Sequence, residues 1–234
     1  MKYLQTEAYL GDNECADDVL EPTKPTLLRV DALEQALNRL PEDAPAEERL
    51  RLTLDRGYGL LELNRFDEAW ELARPALDEA VTAQAWMRAV EACDIMFQCD
   101  KPESVRALAH GTWLGVTFPI DPELSVAMLQ HIVSESPDRS DGAAVAAATA
   151  GYLVDLRAEG KQREDLLFFT TQLLGQVARL HSQVEEQEIF EFWVRQLELD
   201  DPGKFLPRLA KVLDVMADGE WWFDRERLRA LIPE

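Results

Sequence analysis

From Leu27 onward the apolar residues return every third or fourth position, the period that gathers them on one face of an α-helix. In "LLRVDALEQALNRL", residues 27–40, Leu33, Ala36, Leu37 and Leu40 share a face, and Pro41 and Pro45 stop the segment. The same period predicts helices at 46–63 and 66–80, joined by the turn "LNRF", and at 83–97, 102–115, 121–134, 141–158, 203–217 and 222–231. In 161–199, Leu166, Leu173, Val177, Leu180 and Val184 keep one face, "EEQE" at 185–188 breaks its phase, and Phe190, Trp193 and Leu197 resume it. No glycine or proline lies between Gln176 and Leu199 to turn the chain, so one long or kinked helix is expected there rather than two. Only "GVTFPI" at 115–120 reads as β-like, and the helix-starting "DPEL" follows it at once. The expected fold class is all-α.

Residues 1–26 lack this pattern. Twelve acidic and four basic side chains fall in 1–48, and Pro22 and Pro25 interrupt the chain before its first helix. The expected organisation is an acidic, extended arm over 1–26, followed by a single all-α domain over 27–234.

Within "DRGYGLLELNRFDEAWELARPAL", residues 55–77, Phe66, Ala69, Trp70, Ala73 and Leu77 line one helix. Leu50, Leu54, Gly57 and Leu61 line the helix before it, so the two faces make an antiparallel hairpin. The stretch resembles a tetratricopeptide repeat (TPR). Gly57 stands at that family's small helix-A position, Leu60 at its large residue three further on, Asn64 in its turn, and Ala69 and Ala76 at its two helix-B alanines. Thr53 and Arg56 depart from the pattern, and no proline closes the unit near Val81. A shift of 36 residues carries Gly57 to Cys93, Leu60 to Met96, Ala69 to Val105, Ala73 to Ala109 and Leu77 to Trp113, a degenerate second copy.

The resemblance covers residues 46–117 and leaves 121–234 as a helical remainder. It implies antiparallel hairpins stacked as a TPR-like right-handed solenoid whose helix-A side chains line a concave groove. The groove positions fall at Arg51, Leu54, Tyr58, Leu61 and Glu62, then Met87, Val90, Asp94, Phe97 and Gln98. Tyr58 and Phe97 would be aromatic anchors beside the acceptors Glu62 and Asp94. Against this stands the plainer reading that Leu54, Leu61, Val90 and Phe97 are core.

Charge narrows the partners. The chain carries 24 basic and 45 acidic side chains, a net −21, which repels nucleic acid and anionic membranes. The exception is a protein that imitates DNA before a basic partner. Eighteen of the basic residues are arginine, which fits a GC-rich or salt-adapted source. No stretch reads as a signal peptide or spanning helix, so a cytoplasmic location is expected. Cys15, Cys93 and Cys99 are odd in number and are expected as reduced thiols, with Cys93 at a small packing position.

Catalytic constellations are lacking: no nucleophile elbow, phosphate loop or metal-binding HExxH appears. His131 and Glu135 share a face but make a poor metal site, and neither His131 nor His181 has a glutamate three residues before it. No metal, no cofactor and no enzymatic activity are therefore expected. "VEEQEIFEFW" at 184–193 reads as a solvated face. Its functional version, carried by Glu185, Glu186 and Glu188, is the docking of a basic partner. Trp221, Trp222 and Phe223 among Arg225, Arg227 and Arg229 read as a cap on the last open face, or else as a self-association surface.

The leading expectation is a non-enzymatic protein-binding adaptor of the chaperone or assembly-factor kind. The alternatives are an acidic decoy for a nucleic-acid-binding protein and, last, a metal-dependent helical-bundle enzyme. The groove reading requires that Tyr58, Glu62 and Asp94 not be sealed in a closed core.

Overall fold

The computed structural model describes residues 3–4, 24–137 and 139–232. Among them every regular element is a helix: α1 (Lys24–Arg39), α2 (Ala46–Glu62), α3 (Phe66–Thr82), α4 (Trp86–Gln98), α5 (Ser104–Thr117), α6 (Pro122–Glu135), α7 (Asp141–Arg157), α8 (Gly160–Ser182), α9 (Gln187–Gln196), α10 (Pro202–Met216) and α11 (Arg225–Arg229). The all-α expectation holds. Most of the predicted 1–26 arm, and Cys15 with it, lies outside the described residues, while Lys24, Pro25 and Thr26 belong to α1. No helix among the described residues is long and apolar enough to cross a membrane.

Two compact units share the chain, the division falling inside α5 between Leu114 and Gly115. In the N-terminal unit α2 packs on α1, α3 and α4, and α3 packs on α4. Two glycines let α2 come close to its neighbours. A Cβ on Gly57 would stand 2.8 Å from Ile95 Cδ1 of α4, and one on Gly59 would stand 2.6 Å from Val30 Cγ2 of α1. Ion pairs stitch the same helices at the surface, Arg29–Glu62 at 2.6 Å, Arg56–Glu34 at 3.3 Å and Arg49–Glu79 at 3.0 Å. Exposed pairs of this kind are worth ~1 kcal/mol or less each, so the buried seam carries the stability.

The turns follow one pattern. Asn64, Gln84, Glu198 and Asp218 are left-handed although none is glycine. In each case the next amide donates to a carbonyl five residues back: Arg65 to Leu60, Ala85 to Ala80, Leu199 to Val194 and Gly219 to Asp214. This is the Schellman ending, in which the bond to the last turn offsets the strain of a left-handed side-chain-bearing residue. A related ending corrects the expectation for 161–199. Gln183 is left-handed, and the Val184 amide bonds back to Ala178, so α8 stops at Ser182 and α9 begins at Gln187. The absence of glycine was no guide to continuity here, because glutamine takes its place and Val184 is buried beside the turn.

In the C-terminal unit α7 packs on α6, α8 and α10. Residues 144–150 of α7, mostly alanine, are all buried, as a helix that is apolar all round must be. Helix starts are written in the sequence: Asp121 and Asp201 accept from the amides of Glu123 and Gly203, each with a proline at the first helical position. The main chain joins the unit near its start too, since the Tyr3 amide donates to Glu123 Oε1 at 2.7 Å and Leu4 is buried. The predicted helix over 222–231 is shorter than expected. Trp221, Trp222 and Phe223 precede α11 half-buried, with the Arg225 guanidinium 3.9 Å from the centre of the Trp221 ring.

Arg157, at the end of α7, donates 2.7 Å bonds to the Gly115 and Val116 carbonyls at the end of α5. Burial pulls its guanidinium below the ordinary arginine value, yet an arginine stays charged, and a cation is well placed at a helix carboxyl end. Arg157→Met keeps the stem and strands both carbonyls, so a loss of about 2 kcal/mol is expected. Urea denaturation reads this as a lower midpoint at unchanged slope.

Candidate functional site

Helices α2 and α4 bring the expected groove residues together in part. Tyr58 is half-buried and its hydroxyl donates to Asp94 Oδ2 at 2.8 Å, while Gln98 Nε2 donates to the same oxygen at 3.0 Å. Asp94 itself is 3% exposed. Leu54 and Val90 are core, whereas Leu61, Met87, Phe97 and Gln98 are half-buried. Arg51 is exposed and pairs with Asp55 at 3.3 Å. Glu62 is exposed but already held by α1, through Arg29 at 2.6 Å and the Thr26 hydroxyl at 3.3 Å. The polar centre of this face is therefore the Tyr58–Asp94–Gln98 set, with Glu62 engaged elsewhere.

The same two helices carry a charge cluster that helical periodicity does not reveal. Arg88 donates to Glu91 at 2.5 Å and to Glu47 of α2 at 2.8 Å, with Glu91 1% exposed. Burial opposes the charge of Arg88, and the hydrogen bonds to Glu91 and Glu47 outweigh it, so its pKa is raised. This cluster ties α4 to α2.

Both described cysteines are buried free thiols. Burial pushes the Cys93 thiol far up and the Cys99 thiol up to about 11, and Cys99 Sγ donates to the Ile95 carbonyl. Thiolate is the reactive form. At pH 8 iodoacetamide should modify neither in the folded protein and both in urea, as read by mass spectrometry. Both folded pKa values are raised, so the associated stability is whole below the unfolded thiol value of 9.0; the Cys99 share is lost as pH climbs through about 11 and the Cys93 share at higher pH still.

The C-terminal unit holds two arrangements that the sequence does not announce. In the first, His181 Nε2 lies 3.1 Å from Asp141 Oδ1, and Trp193 Nε1 donates to His181 Nδ1 at 3.3 Å. The Ser182 hydroxyl lies 2.7 Å from the same Nδ1. Arg208 donates to the other Asp141 oxygen at 2.9 Å and to the Leu197 carbonyl at 2.5 Å. The set joins α7, α8, α9 and α10 through residues up to 67 positions apart. Its geometry is that of a clasp.

The second is a cleft of about 300 Å³ over α7, with Ala147, Ala148 and Gly151 as its floor, Leu167 and Leu174 of α8 on one wall and Phe205 of α10 on the other. Asp155 and Asp200 stand among its lining residues. A glycine inside a helix costs roughly 0.5–1 kcal/mol against alanine. At Gly151 that cost has no internal packing reason, because an added Cβ would meet only Thr170 Oγ1, at 3.9 Å. The signal in the sequence was Gly151 itself, in mid-helix behind an alanine run.

Glu185, Glu186 and Glu188 are all exposed, the first two in the link before α9. On α9 itself Ile189 and Phe192 are exposed and Trp193 is buried. No group of three or more His, Cys, Asp or Glu among the described residues is placed to hold a metal ion. Compared with known proteins, the chain matches no family model, no curated protein and no solved structure.

Proposed function

We propose that this protein is a non-enzymatic, TPR-like adaptor that holds a segment of another protein against the helix-A face of α2 and α4. It would act in the cytoplasm as a chaperone or assembly factor. The observation that carries the reading is a register of 36 residues. Asn64 and Asp100, 36 apart, are both left-handed at the ends of α2 and α4, and Tyr58 hydrogen-bonds to Asp94, also 36 away. Two helices in equivalent positions thus present equivalent residues side by side, as stacked repeats do. Arg51, Leu61, Phe97 and Gln98 supply accessible polar and apolar groups on that face.

A second reading, an acidic decoy for a basic nucleic-acid-binding protein, is favoured by the exposure of Glu185, Glu186 and Glu188 in a chain of net charge −21. Affinity capture separates the two. Wild type is compared with an Arg51→Glu, Gln98→Lys variant at low and moderate salt, with folding checked by circular dichroism. A protein retained at moderate salt and lost with the variant supports the helix-A face. Capture that ignores the variant and collapses with salt overturns it in favour of the acidic exterior.

A further inference from the structure

We infer that the cleft over Gly151 is a binding site for a lysine or arginine side chain presented by a partner polypeptide. The inference does not rest on the reading of α2 and α4.

Three observations converge on it. First, Gly57 and Gly59 have neighbours within 2.8 Å and 2.6 Å of an added Cβ, whereas Gly151 has nothing nearer than 3.9 Å. The glycine in the middle of α7 is not needed for a close helix approach, and its effect is to keep the cleft floor low. Close approach of another group is what such a glycine permits. Second, Ala147, Ala148, Leu167 and Leu174 give the lining apolar surface beside the hydroxyls of Tyr152, Thr170 and Thr171, and that apolar part suits the aliphatic stem of a long cationic side chain. Third, the only charged residues in the lining are Asp155 and Asp200. Asp155 is exposed and holds Arg163 at 2.6 Å, and Asp200 is exposed. With Asp155 already paired to Arg163, Asp200 is the rim carboxylate complementary to the cationic head of such a stem.

The form of the cleft favours a polypeptide over a free amine. From Ala147 to Asp155 the lining follows α7 for about 12 Å at 1.5 Å per residue, longer than one side chain needs. A chain of net charge −21 also draws basic segments towards it.

The test is a titration of the full-length ¹⁵N-labelled protein with capped Ala-Ala-Arg-Ala-Ala, its norleucine and glutamate analogues, and n-butylguanidinium, followed by amide shifts. The arginine peptide should give saturable shifts at Gly151, Thr171 and Asp200, and the two analogues should not. Asp200→Asn, on an exposed side chain, should weaken binding by about fivefold. Gly151→Leu should abolish it with the helical circular dichroism intact. Absence of saturable shifts, equal binding of the norleucine peptide, or full binding to folded Gly151→Leu overturns the site. If Gly151→Leu does not fold, Asp200→Asn decides, and unchanged affinity is the overturning result. Binding of n-butylguanidinium as tight as that of the peptide overturns the polypeptide as occupant.

Discussion

Arg88→Met is expected to cost about 3–5 kcal/mol, the range for breaking a buried ion pair by removing one partner. Arg88 is 13% exposed and Glu91 1%, and their 2.5 Å contact is a charge-assisted bond inside the packed seam of α2 and α4. Methionine fills much the same volume, so the loss reports on the charge pair rather than on packing. One feature distinguishes this from ordinary packing damage. The double variant Arg88→Met, Glu91→Leu should recover most of the stability, since a well-packed apolar pair often matches a buried ionic one. Denaturation curves of wild type, single and double variants read this. A single-variant loss under ~1 kcal/mol, or a double variant as unstable as the single, sinks the account.

Why that pair escaped a reading of the sequence is instructive. Helical period identifies faces, and Val90, Cys93 and Asp94 were placed by it and by the 36-residue shift. That shift makes Tyr58 and Asp94 equivalent positions, and the two hydrogen-bond, with Asp94 buried. Nothing in the local sequence says that Glu91 will be buried, because that depends on which helix covers it. Arg88 and Glu91, three apart on one helix, look like any solvated pair. The limit is the same in the C-terminal unit. Asp141, His181 and Arg208 gain their relation only when α7, α8 and α10 are assembled. The cleft over Gly151 is likewise a product of how three helices splay, legible beforehand only as a glycine out of place. The break after Ser182 is hidden for a different reason: glycine is the usual residue at a left-handed helix end, and this chain uses glutamine there and, elsewhere, asparagine, glutamate or aspartate.

The same break sets the second large expectation, a loss of about 3–5 kcal/mol for Trp193→Ala. Because α8 and α9 are separate helices, α9 stays in place only through what it packs on, and Trp193 is its buried residue. The indole meets the His181 ring edge-on at 5.8 Å, lies 6.0 Å from Phe190, and donates its Nε1–H to His181 Nδ1. Alanine would empty that site and leave a ten-residue helix too short to persist alone. Hydrogen exchange should therefore show the α9 amides losing protection ahead of the α7 amides. Trp193→Phe fills most of the volume and forfeits the hydrogen bond, so it should cost only about 1 kcal/mol. If alanine and phenylalanine cost the same, or if α9 stays protected in the alanine variant, Trp193 is not the anchor. The anchor bears on function through Glu188, which α9 carries beside exposed Ile189 and Phe192. Should a basic partner dock there, Trp193→Ala would weaken it without altering one surface charge, a result that screening by salt cannot imitate.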